Sequence, residues 1–133
     1  EENGVQWRLH DLPFAGVGLN DFFAPNADHA CAWAVNFVTT DVDRDLRVFA
    51  GFDDTGEVWL NGRRVALQPA VDPEHTLVDA RTGRLHLDAG RNAIAVRACE
   101  DIGDWRFYFR LENLDGTPVE GLRWTYGPAR WPE

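Results

Sequence analysis

The strongest local signal in the chain is Ala50-Gly51-Phe52-Asp53-Asp54-Thr55-Gly56-Glu57-Val58-Trp59-Leu60-Asn61-Gly62-Arg63-Arg64-Val65. Residues 58–60 suit a pleated strand, and Asn61-Gly62 tolerates positive φ at both positions, so the segment predicts a hairpin closed by a type I′ turn. Upstream, residues 46–50 predict another strand, and residues 53–56 predict a polar turn between the two. Three strands in succession indicate an antiparallel sheet.

The rest of the chain also alternates with the period of a strand. The first such segment separates two faces, with Cys31, Trp33, Val35 and Phe37 on one and Ala32, Ala34 and Asn36 on the other. This pattern predicts a half-buried strand. Further strands are predicted at 84–88, 93–99, 105–111 and 122–126. About eight short strands with no convincing helix predict an all-β fold, an antiparallel β-sandwich that forms a single domain over residues 1–133.

Composition narrows the function classes. The chain has 133 residues, which suits one domain, and 44% of them are hydrophobic, with eight Phe and six Trp. A formal charge of −9 argues against nucleic acid or an anionic membrane surface as the main partner, so a neutral ligand or a protein fits better. No apolar run approaches the roughly 20 residues that a membrane helix needs, which predicts no membrane insertion.

Two features bear on the compartment. The chain has no Met, which predicts a processed product or a segment of a longer protein, and a removed signal peptide would place it outside the cell. Cys31 and Cys99 match no zinc or redox motif and are either paired in a disulfide or two buried free thiols. The pattern leaves both states open.

Five segments together resemble a known family. In chain order they are Cys31-Ala32-Trp33-Ala34-Val35, Ala50-Gly51-Phe52-Asp53-Asp54, Val58-Trp59-Leu60-Asn61-Gly62, Ala89-Gly90-Arg91-Asn92-Ala93-Ile94-Ala95-Val96 and Gly103-Asp104-Trp105-Arg106-Phe107-Tyr108. Over residues 30–124 they are similar to the galactose-binding-domain-like jelly rolls, and among these to the sugar-binding domain of family 2 glycoside hydrolases. The resemblance implies a jelly-roll module that binds carbohydrate or supports a neighbouring catalytic domain. It also implies that a structural calcium ion can be held near the sandwich rim, with no other cofactor required.

Sugar recognition needs an aromatic face for the ring C–H groups and polar side chains for the hydroxyls. The carbohydrate-binding residues predicted on this basis are Trp59, Asn61, Asp53, Asp54, Trp105 and Asp104. For the two tryptophans the pattern leaves an alternative open, since each could instead pack in the core or an interface. Trp124 and Trp131, near the C-terminus, are predicted to form an assembly surface that docks a neighbouring domain or subunit.

Catalysis is not expected. Asp53 and Asp54 are adjacent on a strand and turn, so we expect their side chains to point to opposite sides, where they could not flank one glycosidic bond. The chain has no Ser, and the four histidines have no HxH or HxxxH spacing, so the sequence names no nucleophile and no metal ligands.

The sequence therefore supports two functional hypotheses. The first is a non-catalytic carbohydrate-binding or accessory module of an extracellular bacterial protein, which we expect to be monomeric and to respond to sugars. The second is a structural subunit that self-assembles into an oligomer or filament, which would bury Trp124 and Trp131 against a copy of itself.

Overall fold

The computed structural model describes residues 16–19, 29–70 and 79–125. These residues form ten strands: β1 (Gly16–Gly18), β2 (Ala30–Thr40), β3 (Arg44–Asp53), β4 (Thr55–Leu60), β5 (Arg63–Arg64), β6 (Gln68–Pro69), β7 (Arg81–Leu87), β8 (Gly90–Glu100), β9 (Arg106–Asn113) and β10 (Arg123–Thr125). They build a first sheet in the order β1-β9-β3-β7-β6 and a second sheet in the order β10-β2-β8-β4-β5, with every pairing antiparallel. The predicted all-β antiparallel sandwich is confirmed.

The number of strands is about ten, where the sequence predicted about eight. The unexpected strands are β1 and β6, which lie at the two edges of the first sheet and contain three and two residues. Strands this short are too brief to show alternation, and their Gly and Pro residues are poor strand formers. Only backbone pairing with a neighbouring strand identifies β1 and β6 as strands.

The hairpin between β4 and β5 is confirmed. Leu60 lies opposite Arg63, and the two residues between them have positive φ, 49° at Asn61 and 82° at Gly62. This is the geometry that a type I′ turn requires, because its backbone twist matches the right-handed twist of the strands.

The prediction of three successive strands in one sheet was wrong. β3 belongs to the first sheet and β4 to the second, so the chain crosses between the sheets at residues 53–55. The Asp54 amide donates to the Cys99 carbonyl of β8 at 2.9 Å, which attaches the chain to its new neighbour. Gly56 then passes close to Phe52, since a Cβ at Gly56 would lie 2.0 Å from Phe52 Cδ1. A side chain at this corner would displace a core ring.

The core lies between the two sheets. β2 and β8 pair along their whole lengths of 11 residues, from Ala30 opposite Glu100 to Thr40 opposite Gly90, and form the centre of the second sheet. Their inward residues, among them Val38 and Val96, join residues of the first sheet in one hydrophobic cluster. Opposite residues of an antiparallel pair share a face, so the register also fixes which side chains point away from the core. We call that side of the second sheet its outer face.

Candidate functional site

Two tryptophans lie near each other on the outer face, one exposed and one partly buried. Val58 of β4 is fully buried, so alternation turns Trp59 outward, and the same alternation turns Trp33 of β2 outward beside buried Ala32. The ring centroids are 6.1 Å apart and the ring planes are inclined at 55°. Trp33 is 44% exposed. We call these two residues the Trp pair.

Polar side chains surround the Trp pair. In register, Arg97 of β8 lies opposite Trp33 and also opposite Glu57 of β4, and Arg64 of β5 lies opposite Trp59. The Trp59 indole N–H donates to Glu57 Oε2 at 3.1 Å. Glu57 Oε1 lies 3.6 Å from Arg64 Nη1, and Oε2 lies 3.9 Å from Arg97 Nη1. The carboxylate is therefore shared between an indole and two guanidinium groups, which gives the face both acceptors and donors.

The disulfide borders this site. Cys31 and Cys99, which face each other across β2 and β8, are joined by a disulfide in the structure rather than present as free thiols. Arg97 Nη2 lies 3.4 Å from Cys31 Sγ. The bond therefore ties the two central strands together next to Trp33.

The outside of the first sheet is built differently. Phe49 there is covered by Arg110, whose guanidinium carbon is 4.1 Å from the ring centroid. Arg110 donates to both oxygens of Asp79, at 2.9 and 3.0 Å, and to Glu112 at 2.8 Å. These carboxylates, Asp79 foremost, raise the pKa of Arg110 and fix it as a charged cover. Phe37 on the outer face of the second sheet is covered in the same way, with the Arg91 guanidinium carbon 4.0 Å from its ring centroid, whereas Trp33 is 44% exposed.

Asn61 supports the scaffold rather than the predicted sugar site. Its Oδ1 accepts the Ala93 amide at 2.8 Å, and its Nδ2 donates to Asn92 Oδ1 at 2.9 Å. Asn92 is 1% exposed and donates in turn to the carbonyls of Asp88 and Gly90. The Asn61 side chain thus fastens the β4–β5 turn to β8, and it helps to satisfy the polar atoms of the buried Asn92 amide.

The structure gathers Asp53, Asp54 and Asp104 at one end of the sandwich, away from Trp59. Burial raises the pKa of Asp53, and a side-chain hydrogen bond to Asp54 and the charges of Asp54 and Asp104 add to that rise, while Arg106 opposes it. Trp59 lies four residues after Thr55 along β4, a distance of about 13 Å at the usual rise per residue. The predicted site is therefore split between the outer face and this acidic end.

The expected orientation of Asp53 and Asp54 was wrong. Their carboxyl groups lie within hydrogen-bonding reach instead of pointing apart, because the chain leaves the regular strand at this corner. Asp54 Oδ2 also accepts the Asp101 amide at 2.7 Å. Retaining and inverting glycosidases hold their two carboxyl groups about 5 Å or more apart, so this contact does not match either arrangement.

Trp105 was also wrongly assigned to the sugar site. It is 2% exposed and belongs to the core cluster, and its indole N–H donates to the Ala98 carbonyl at 3.2 Å. The large ring fills space between the sheets just before β9 begins. Core packing, the alternative that the sequence left open, is the role the structure gives it.

Of the two tryptophans in the predicted assembly surface, the structure describes one. Trp124 lies on β10 opposite Val38 and is 44% exposed. Trp131 lies outside the described residues. Among the described strands, β10 is an edge of the second sheet, so Trp124 projects from a sheet margin rather than from the middle of a face.

One group of side chains in the described ranges could hold a metal ion. Ligand atoms of Asp43, His86 and Asp88 lie within 4.8 Å of one another, at the end of the sandwich opposite Asp53. His86 Nδ1 lies 2.8 Å from Asp45 Oδ1, and this hydrogen bond raises the pKa of His86. An imidazole with carboxylates suits zinc better than calcium, which takes oxygen ligands. All three residues are exposed, and the group does not carry the calcium prediction.

Trp33 is the functional candidate that sequence reasoning missed. Its place in an alternating segment was recognised, but the segment could bury either of its two faces. The signal that could have identified it is the small size of Ala32 and Ala34. Small side chains let the opposite sheet approach closely, so the face that contains them suits the inside of the sandwich and Trp33 suits the outside.

Within the ranges that the structure describes, no helix is long and apolar enough to cross a membrane. Comparisons of the chain with protein-family models, with curated proteins and with solved structures found no match.

Proposed function

We propose that the protein is a non-catalytic carbohydrate-binding module that holds its ligand on the outer face of the second sheet. The observation that carries this proposal is the Trp pair, in which Trp33 is 44% exposed and Trp59 is partly buried, at a ring separation of 6.1 Å with Glu57 and Arg97 beside it. The sequence resemblance to galactose-binding-domain-like jelly rolls supports the same function. The disulfide between Cys31 and Cys99 supports an extracellular location, because disulfides persist in oxidising compartments.

The geometry of the Trp pair suits a sugar. Each indole face offers a large apolar surface for ring C–H groups, while Glu57 and Arg97 can accept from and donate to hydroxyl groups at the ring edge. Because the planes are inclined at 55°, the two rings do not form one flat surface. This arrangement suits a single soluble glycan chain better than the flat face of a crystalline polysaccharide.

Affinity measurements on Trp33→Ala and Trp59→Ala test the proposal. A glycan array on the purified chain identifies a soluble ligand, and titration calorimetry then measures its affinity for each variant. Each substitution removes one stacking face, so we expect about a tenfold or greater loss of affinity, equivalent to about 1.4 kcal/mol. Trp124→Ala is the matched control, since Trp124 is also 44% exposed but lies on the sheet edge. An array without reproducible hits, or equal losses in all three variants, would overturn the proposal.

Self-assembly is the second candidate, and Trp124 is the observation that favours it. An edge strand carries unpaired main-chain groups and can pair with a further strand, and an exposed Trp beside it adds apolar contact area. The same variants separate the two functions. Light scattering after size-exclusion chromatography should show that Trp124→Ala dissociates an assembly while Trp33→Ala leaves it intact. A monomer at all concentrations would exclude the assembly hypothesis.

A further inference from the structure

The outer face of the second sheet is positively charged in a protein whose net charge is −9. The outward positions of its five strands include four arginines and one carboxylate, namely Arg64, Arg91, Arg97, Arg123 and Glu57. One of the four is already neutralised, because Arg123 donates to Asp41 at 3.1 Å and lowers the pKa of that carboxyl group. The other three arginines share Glu57 or lie further along β8. The local charge is therefore opposite in sign to that of the whole chain.

Each member of the Trp pair has an arginine as its direct cross-strand neighbour, Arg97 for Trp33 and Arg64 for Trp59. Glu57 cannot neutralise both guanidinium groups. Its distances of 3.6 and 3.9 Å exceed those of a charge-assisted hydrogen bond, and its Oε2 already accepts the Trp59 indole N–H. Guanidinium N–H donors thus remain available beside the Trp pair.

We infer that the ligand is an acidic glycan, in which a sugar ring contacts the Trp pair and its carboxylate or sulfate group binds Arg97 or Arg64. This inference rests on the function proposed above and specifies the class of sugar. A guanidinium group presents two parallel N–H donors that match a carboxylate or sulfate, and an acidic group at the edge of a pyranose ring lies within reach when the ring stacks on an indole.

The experiment compares two pairs of soluble polymers that differ in charge. Polygalacturonate is paired with its methyl ester to test a carboxylate, and dextran sulfate is paired with dextran to test a sulfate; the protein is titrated with each at 50 and 200 mM salt. We expect at least one acidic polymer to bind about tenfold more tightly than its neutral partner, with the difference shrinking as salt rises. The pair that shows the preference identifies the acidic group.

Charge variants locate the preference. Arg97→Gln and Arg64→Gln should each reduce the acidic-to-neutral affinity ratio at least threefold, and Arg97→Lys should retain part of it because the charge stays while the paired donors are lost. Arg84→Gln is the control, since it removes the same charge from an exposed position on the first sheet. Circular dichroism and urea unfolding confirm that each variant is folded.

The outcomes are distinguishable. Equal binding of the acidic and neutral polymers, with loss of binding in Trp33→Ala, overturns this inference and leaves the proposed function standing. No binding of any of the four polymers overturns this inference, and a glycan array without reproducible hits overturns the proposed function as well. Binding of oligo-thymidylate as tight as that of the acidic polymers shows that the ligand class is wrong. A salt-sensitive acidic preference that Arg97→Gln removes and Arg84→Gln retains supports the inference.

Discussion

Replacing the disulfide with Cys31→Ala and Cys99→Ala should remove about 4 kcal/mol from the free energy of unfolding. The two residues are 68 positions apart, and a cross-link over a loop of this length lowers the entropy of the unfolded chain by that amount at 25 °C in the chain-entropy model. The folded state should change little, because β2 and β8 remain paired over 11 residues without the bond. The loss is a large share of the 5–15 kcal/mol typical of a domain, so the variant should stay folded but become marginal.

Urea unfolding at 25 °C, followed by circular dichroism, measures this loss. The free energy of unfolding should fall less steeply with urea concentration for the oxidised wild type than for the variant. The disulfide keeps the unfolded wild type more compact, so unfolding exposes less surface. The thermal midpoint of the variant should fall by roughly 10–20 °C. Wild type reduced with dithiothreitol should unfold at the same urea concentration as the variant. A loss below about 1.5 kcal/mol, with unchanged near-ultraviolet circular dichroism, would show that the cross-link does not stabilise the fold through the unfolded chain.

Three further substitutions test single contacts. Gly56→Ala should lower the free energy of unfolding by about 1–3 kcal/mol in a urea titration, because the new Cβ overlaps the Phe52 ring; an unchanged midpoint would refute the clash. Asn92→Asp should destabilise the fold at pH 7 in the same assay, because a buried carboxylate cannot donate to the two main-chain carbonyls that the amide serves; stability equal to wild type would contradict this. His86→Gln should reduce the thermal midpoint at pH 5 and have no effect at pH 9. The hydrogen bond to Asp45 raises the pKa of His86 in the folded state. Protonated His86 therefore contributes its full stabilisation below the unfolded-state pKa, and this stabilisation is lost as pH rises through the folded-state pKa. A constant difference across that range would refute the assignment.

The fold was largely readable from local sequence. Asn61-Gly62 fixed the hairpin, and alternation located the long strands, because both signals depend on backbone geometry within a few residues. The crossing between sheets at Asp53 was not readable, since it depends on the Asp54 amide finding the Cys99 carbonyl, 45 positions away. The short edge strands β1 and β6 were missed for the same reason, because their ladders are their defining feature.

The site was harder to predict because alternation gives a period but not a direction. Alternation puts Trp59 and Val58 on different faces of β4, yet nothing local showed whether Trp33 or Ala32 would face the core. The core already contains Phe52 and Trp105, so the small residues of β2 fit inward and the Trp is left outside. Predicting the burial of Trp105 also required knowing how the two sheets pack, because the sheet packed against it determines that burial.

The distribution of charge also limits how an acidic polymer can lie on the outer face. Acidic residues crowd both ends of the central strands, with Asp54 and Asp104 at one end and Asp43 and Asp88 at the other, while Arg97 and Arg64 occupy rows between them. A polyanion lying parallel to the strands would approach both acidic ends, whereas one crossing from β2 over β8 to β4 follows the direction of the Trp pair and avoids them. Ligand binding should therefore shift backbone amide resonances in the middle rows of these three strands. Equal shifts at the Asp54 and Asp88 ends would contradict the crossing path and would indicate that the ligand follows the strands.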